Sequence, residues 1–376
     1  MKIDPIELTR DLIRFETINP PGNETPCAEF IGGILERAGF RIAYHRLDGD
    51  GSRANLIARI GGSAARKPLC LSGHTDVVQL GAAPWSVSPF AADIADGKIY
   101  GRGSTDMKSG VAAIVAAAVE LAPRLEGTPG LVLVVTASEE SGCQGANFLV
   151  GLDGALGEAG ALLVAEPTAN RLLNGHKGVL RVEGRATGIT AHGSMPEEGD
   201  NAVYKAARAV GRLERLKLDE GRTLRGGLPT LNVGWFHGGM NVNSVPDEAT
   251  FGVDIRMVPG LTDTDIMAML AEIGGPDVSF TRFTSFPPVY TEPSHPWIAE
   301  VREVMAGITG ERHPPAIASY FTDAEALVRG YGQPPAIILG PGEPDMAHQT
   351  DEFCTIRRVE EATAGFTEIA RRWCGL

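Results

Sequence analysis

The sequence predicts an α/β protein whose main sheet is interrupted by a smaller α+β insertion. Two observations predict this. Short apolar runs (LCLSGHTDVV, LVLVVTASEESGCQGA and ALLVAEPT) end in polar turns and are separated by helix-forming stretches. A middle segment carries strands of alternating polarity instead. At 376 residues the chain exceeds the usual single core and implies two domains. With 43% hydrophobic residues there is ample material for a core, and no apolar run reaches the roughly 18 residues of a membrane span. The start, MKIDPIELTRDLIRFETI, mixes acids into an amphipathic pattern and has no signal-peptide h-region, so a cytoplasmic protein is expected. The five cysteines are odd in number and scattered, as reduced thiols would be. A formal charge of −13 argues against nucleic acid or an anionic membrane as partner.

The first apolar run ends in His74 and Asp76, which puts an imidazole and a carboxylate at a strand exit, where open α/β sheets bind ligands. Residues two apart in an extended segment point the same way. Asp76 can therefore bond the far ring nitrogen of His74 and fix its tautomer. Alone, the pair reads more readily as a histidine satisfied beside a turn aspartate. Next, the Gly-rich turn in KIYGRGSTDMKSGVAAIVAAAVELA delivers Asp106 just before an Ala/Val/Ile helix starting near Ser109. Asp106 could bridge two cations or merely cap that helix. The β-branched run LVLVVT ends in the tandem acids Glu139 and Glu140, which are costly at a buried strand end unless something positive holds them. ALLVAEPT repeats the device with Glu166, and ILGPGEPDMAHQTDE places His348 in a loop after another strand.

Two histidines and four acids converging on one rim would repel one another unless divalent cations were present. The donors are nitrogen and oxygen, with no cysteine among them, which suits zinc, cobalt or manganese. Two such ions about 3.5–4 Å apart can share a water, lower its pKa and polarise a carbonyl. One acid of the tandem then serves as ligand and the other as general base. Cys143 lies near the tandem, but hydrolysis by water has no use for its thiol.

The strings SGHTDVV, YGRGSTDMKSG, TASEESG, VAEPT and PGEPDMAHQTDE resemble, almost end to end, those of one family. It is the dinuclear zinc peptidase and deacylase family of acetylornithine deacetylase, succinyl-diaminopimelate desuccinylase, aminoacylase and glutamate carboxypeptidase. The resemblance implies two zinc ions, for which cobalt or manganese can substitute: His74 and Glu166 on one, Glu140 and His348 on the other, and Asp106 bridging both. It makes Glu139 the base, puts Asp76 behind His74, and implies a cis peptide after Asp106. It also implies a discontinuous catalytic domain, residues 1–176 and 291–376, with a mixed sheet and helices on both faces. Residues 177–290 become a lid and dimerisation domain, read as β-β-α-β-β-α, so a homodimer is expected.

Within the insertion, TAHGSMPEEGDNAV matches the family's interface motif, which makes His192 an oxyanion donor to the neighbouring subunit's site. Asn243 stands where the family uses an asparagine near the substrate, and Arg256 could pair with a carboxylate; either could equally be an ordinary turn or strand residue. Thr322 and Asp323 form a candidate recognition loop, or else an N-cap for AEALVRG. The desuccinylase branch typically carries paired arginines just before the lid, where this chain has His176 and Lys177. That departure weakens a succinyl substrate. The expected substrate is an N-acyl amino acid whose free carboxylate pairs with Lys177 or Arg256. The alternatives are a dipeptidase or aminopeptidase of the same architecture and, more remotely, a non-catalytic metal-binding dimer; the latter would have lost a ligand, the base or the histidine, and none is missing.

Overall fold

The computed structural model describes residues 2–62 and 66–376. They form two compact units, one comprising Met1–Gly175, Tyr290–Ala316 and Thr322–Leu376, the other His176–Val289 and Ile317–Phe321. Among the described residues no helix is long and apolar enough to cross a membrane.

The first unit is built on a six-stranded sheet in the order Arg41–Arg46, Ala54–Ile60, Leu131–Thr136, Leu69–His74, Ala161–Val164, Ala336–Ile338. The first two pairings are antiparallel and the remaining three parallel, so the sheet is mixed. Every residue of Leu69–His74 and Leu131–Thr136 is buried, which is why these strands read as continuous apolar runs. Leu69, Leu71, Leu131, Leu133 and Leu163 share one apolar cluster with the helices Pro5–Ile13, Thr25–Arg37, Ser109–Leu121, Pro296–Thr309 and Ile356–Trp373. On the opposite face the Cys70 thiol meets the Tyr331 hydroxyl at the end of the helix Ala324–Gly330. Helices thus cover both faces. In Ser109–Leu121 only Glu120 is exposed, and small residues allow a close approach. A Cβ on Gly110 would stand 2.1 Å from the Ala165 carbonyl oxygen. The parallel register pairs His74 with Thr136 and Ser72 with Val164, bringing three strand ends to one rim.

The second unit is a four-stranded antiparallel sheet ordered Thr230–Gly238, Glu248–Met257, Gly178–Thr187, Val278–Phe286. The helices Ala202–Leu213 and Asp263–Gly274 pack on it in a single apolar cluster. Its order is β-α-β-β-α-β, which differs from the expected β-β-α-β-β-α in two places. The expected opening strand pair is one ten-residue strand. Gly184 lies inside that strand, opposite Phe251, whose ring fills the space a side chain would take, 2.4 Å from where a Cβ would stand. The fourth strand, VSFTRFTSF, follows the second helix and pairs along Gly178–Thr187.

Candidate metal centre and active site

Seven of the expected site residues gather at the rim of the first unit. His74 ends its strand with an imidazole that is only 1% exposed. Its Nδ1 lies 3.0 Å from the Asp76 carbonyl oxygen and 3.4 Å from the Asp76 carboxylate. Its Nε2 lies 3.2 Å from Oδ1 of Asp106 and 3.9 Å from Glu166. The other oxygen of Asp106 lies 3.4 Å from Nε2 of His348, which also stands 3.1 Å from Glu140. One carboxylate therefore offers each of its oxygens to a different histidine, and each histidine has a further carboxylate beside it. The Asp106–Met107 peptide is cis.

These spacings fit metal ions better than a purely structural network. Donor atoms about 2.0–2.1 Å from a tetrahedral ion stand about 3.3 Å from one another. The contacts of 3.1 to 3.4 Å around Asp106 match that edge length. His74, Asp106 and Glu140 already bring one donor atom each within 4.8 Å of the others. The electrostatics agree. Burial pushes Glu139, Glu140 and Glu166 up, and neighbouring carboxylates push them further. Bonds to Asp106 and Glu140 raise the His348 imidazole to about 10. The pocket thus calls for positive charge, which a divalent cation supplies more fully than a proton.

The loop that follows Leu131–Thr136 is held from behind by its backbone. Asp76 accepts the N–H of Glu139 at 3.0 Å, and its other oxygen accepts those of Glu140 and of the Asn19 amide, each at 3.1 Å. Glu24, also buried, accepts the Ser138 N–H at 3.0 Å. Burial works to raise the Asp76 carboxyl, but these donors and His74 overcome it and hold the carboxyl below its usual value. Beside Glu139, Cys143 donates to its Oε1 at 3.5 Å, and Asp323, raised by burial to about 6, accepts from the Thr136 hydroxyl at 2.5 Å. Thr322 is fully buried and accepts the Ala324 N–H at 3.1 Å, a turn contact.

The other candidates belong to the second unit. His192 is exposed, with Nδ1 2.8 Å from the Ser194 hydroxyl. Its loop is tied to that of Asn243 by the Gly193 N–H donating to the Asn243 carbonyl at 2.7 Å. Arg256 bonds Asp254 at 2.7 Å, and the Lys177 ammonium donates to the Leu228 carbonyl at 2.7 Å.

A family model described as peptidase family M20/M25/M40 matches residues 70–372. The chain belongs to that family. It is accordingly a metal-dependent amide hydrolase. A succinyl-diaminopimelate desuccinylase of Cereibacter sphaeroides is 33% identical across 99% of both chains. A probable succinyl-diaminopimelate desuccinylase of Staphylococcus epidermidis is 30% identical across 93% of both. Among solved structures, a tripeptidase of Staphylococcus aureus has TM-score 0.78 at 21% identity, covering 99% of this chain and 98% of that one. An M20 metallo-carboxypeptidase of Sulfolobus solfataricus has TM-score 0.78 at 19% identity over 100% of both. These two likenesses concern the M20 fold.

In this M20 chain the two residues that open the second unit are His176 and Lys177. His176 is buried, and burial lowers its imidazole to about 4; beside it, partial burial and the Arg256 guanidinium lower the Lys177 ammonium. Sequence reasoning missed Glu24 and Asn19, and it missed the buried ion pair of Arg102 and Glu352 at 2.6 Å. Glu352 stood inside the quoted string PGEPDMAHQTDE, but nothing in the string reveals which backbone amides its carboxylate meets.

Proposed function

We propose that the chain is a dinuclear amidohydrolase that removes the acyl group from an N-acyl amino acid, acting as a homodimer in the cytoplasm. The observation that carries this reading is Asp106, whose two oxygens face His74 and His348 at 3.2 and 3.4 Å. His74 and Glu166 would hold one ion, Glu140 and His348 the other, and Asp106 both. Bound there, zinc, or cobalt or manganese in its place, supplies Lewis acidity and makes water acidic enough to attack at neutral pH.

The protein's own groups handle the protons and the orientation. Glu139, held through its backbone by Asp76, takes a proton from the water that adds to the amide carbon. As the C–N bond breaks, Glu139 passes that proton to the departing nitrogen, leaving a carboxylic acid and an amine, between which the acid proton then moves to give carboxylate and ammonium. The partner subunit's His192 donates a hydrogen bond to the oxygen that becomes negative during addition. Lys177, Arg256, Asn243 and Thr322 are the proposed contacts to the amino-acid end. The names of the relatives put N-succinyl amines in the test beside N-acetyl and N-formyl amino acids.

The test is release of free amine from that panel and from dipeptides, using metal-free protein and protein given zinc, cobalt or manganese. Metal-dependent cleavage of one N-acyl class supports the reading. Preference for dipeptides moves the chain to the peptidases, and silence with metal bound removes catalysis. Mixing His192→Ala with Glu139→Gln chains should restore part of the activity each lacks, which tests both the dimer and the histidine.

A further inference from the structure

Arg102 and Glu352 form an ion pair at 2.6 Å with both side chains only 1% exposed. Their remaining bonds go to peptide groups. One Glu352 oxygen also accepts the Gly103 N–H at 3.0 Å, and the other accepts those of Thr105 at 2.8 Å and Asp106 at 3.1 Å. Arg102 reaches the opposite way, donating to the carbonyls of Gln349 at 3.2 Å, Gln79 at 3.1 Å and His348 at 3.5 Å. The two side chains therefore grip the turn that carries Asp106 by its N–H groups and the turn that carries His348 by its carbonyls. Those are the turns whose side chains face one another at 3.4 Å.

The two histidines are supported differently. His74 is buried and ends a central strand with both neighbours paired. His348 has a side chain 52% exposed on a loop, with φ of 65°. A rigid strand supplies the first position of Asp106's partners; for the second, the Arg102–Glu352 pair takes the strand's place.

We infer that Arg102 and Glu352 are positioning residues that set the separation of Asp106 and His348, and hence the affinity for the ion shared by Asp106, Glu140 and His348. The ion at His74 and Glu166 shares Asp106 but takes its histidine from a paired central strand, so it depends on them less. This rests on the dinuclear reading above. The supporting shell around a metal ligand ordinarily changes affinity by about 10- to 100-fold when altered.

The test uses Arg102→Lys, which keeps the charge but cannot span four acceptors, and Glu352→Gln, which keeps the shape. Metal-free protein is titrated with cobalt(II), following its absorption spectrum and bound stoichiometry, and the metal-free melting temperature is recorded in parallel. Wild type should bind two ions per chain. Each variant should bind the first within about threefold of wild type and the second at least tenfold more weakly, and excess cobalt should restore turnover to Arg102→Lys. A second affinity equal to wild type in Arg102→Lys overturns the inference, as does an equal loss at both positions with a lower melting temperature, the signature of a merely structural pair. Should Glu352→Gln fail to fold, Arg102→Lys decides alone. A single ion bound by wild type overturns the dinuclear reading instead, and the inference with it.

Discussion

Asp76 accepts the backbone N–H of Glu139 at 3.0 Å while standing 3.4 Å from Nδ1 of His74. One buried carboxylate thus fixes a proposed ligand's ring and the loop bearing the proposed base. Asp76→Asn keeps the shape but opposes an NH2 group to one of these N–H donors. Metal affinity should fall about 10- to 100-fold, read by equilibrium titration. Wild-type affinity in this variant would show that the ring is oriented by other groups.

Glu139→Gln removes the proton acceptor while leaving the backbone bond to Asp76 in place. Turnover should fall by about 10²- to 10⁴-fold with the metal content unchanged. Rates near wild type would assign the proton transfer elsewhere.

Gly110→Ala places a methyl group 2.1 Å from the Ala165 carbonyl oxygen, closer than any real contact. The helix must move off the strand end, at a cost of about 1–3 kcal/mol, measurable as a lower denaturant midpoint. Since Ala165 precedes Glu166, metal binding should weaken in the same variant.

Burial lowers His176 to about 4 in the folded chain, against the ordinary imidazole value of about 6.5 in the unfolded one. Between those values the unfolded state binds more protons, so stability rises with pH across this window. The contribution is fully present above pH 6.5 and is lost as pH falls towards 4, amounting to about 3 kcal/mol. The stability profile of His176→Gln should be flatter between pH 7 and 4 than that of wild type. Parallel profiles in denaturant unfolding would mean that the histidine does not enter the balance.

The parts of the site legible in the sequence are those where one local signal carries both position and chemistry. An apolar run ending in His74, in Glu139-Glu140 or in Glu166 states its strand and its donor together. The strand pair expected at the start of the insertion is the single strand Gly178–Thr187, and the Phe251 ring that fills the space beside its Gly184 arrives from another strand. The same holds for Glu352: its partners are the amides of Gly103, Thr105 and Asp106, some 246 to 249 positions away, and an amide has no residue type to read. Backbone-binding acids such as Glu24 and Glu352 look like any other carboxylate until the chain is folded.

His348 meets Glu140 across 208 residues of chain. A polypeptide leaving the ribosome therefore exposes four of the five proposed donors long before the fifth exists. Tight loading of both ions belongs after synthesis, when the C-terminal turn has docked, and nascent fragments that end short of it compete poorly for scarce metal.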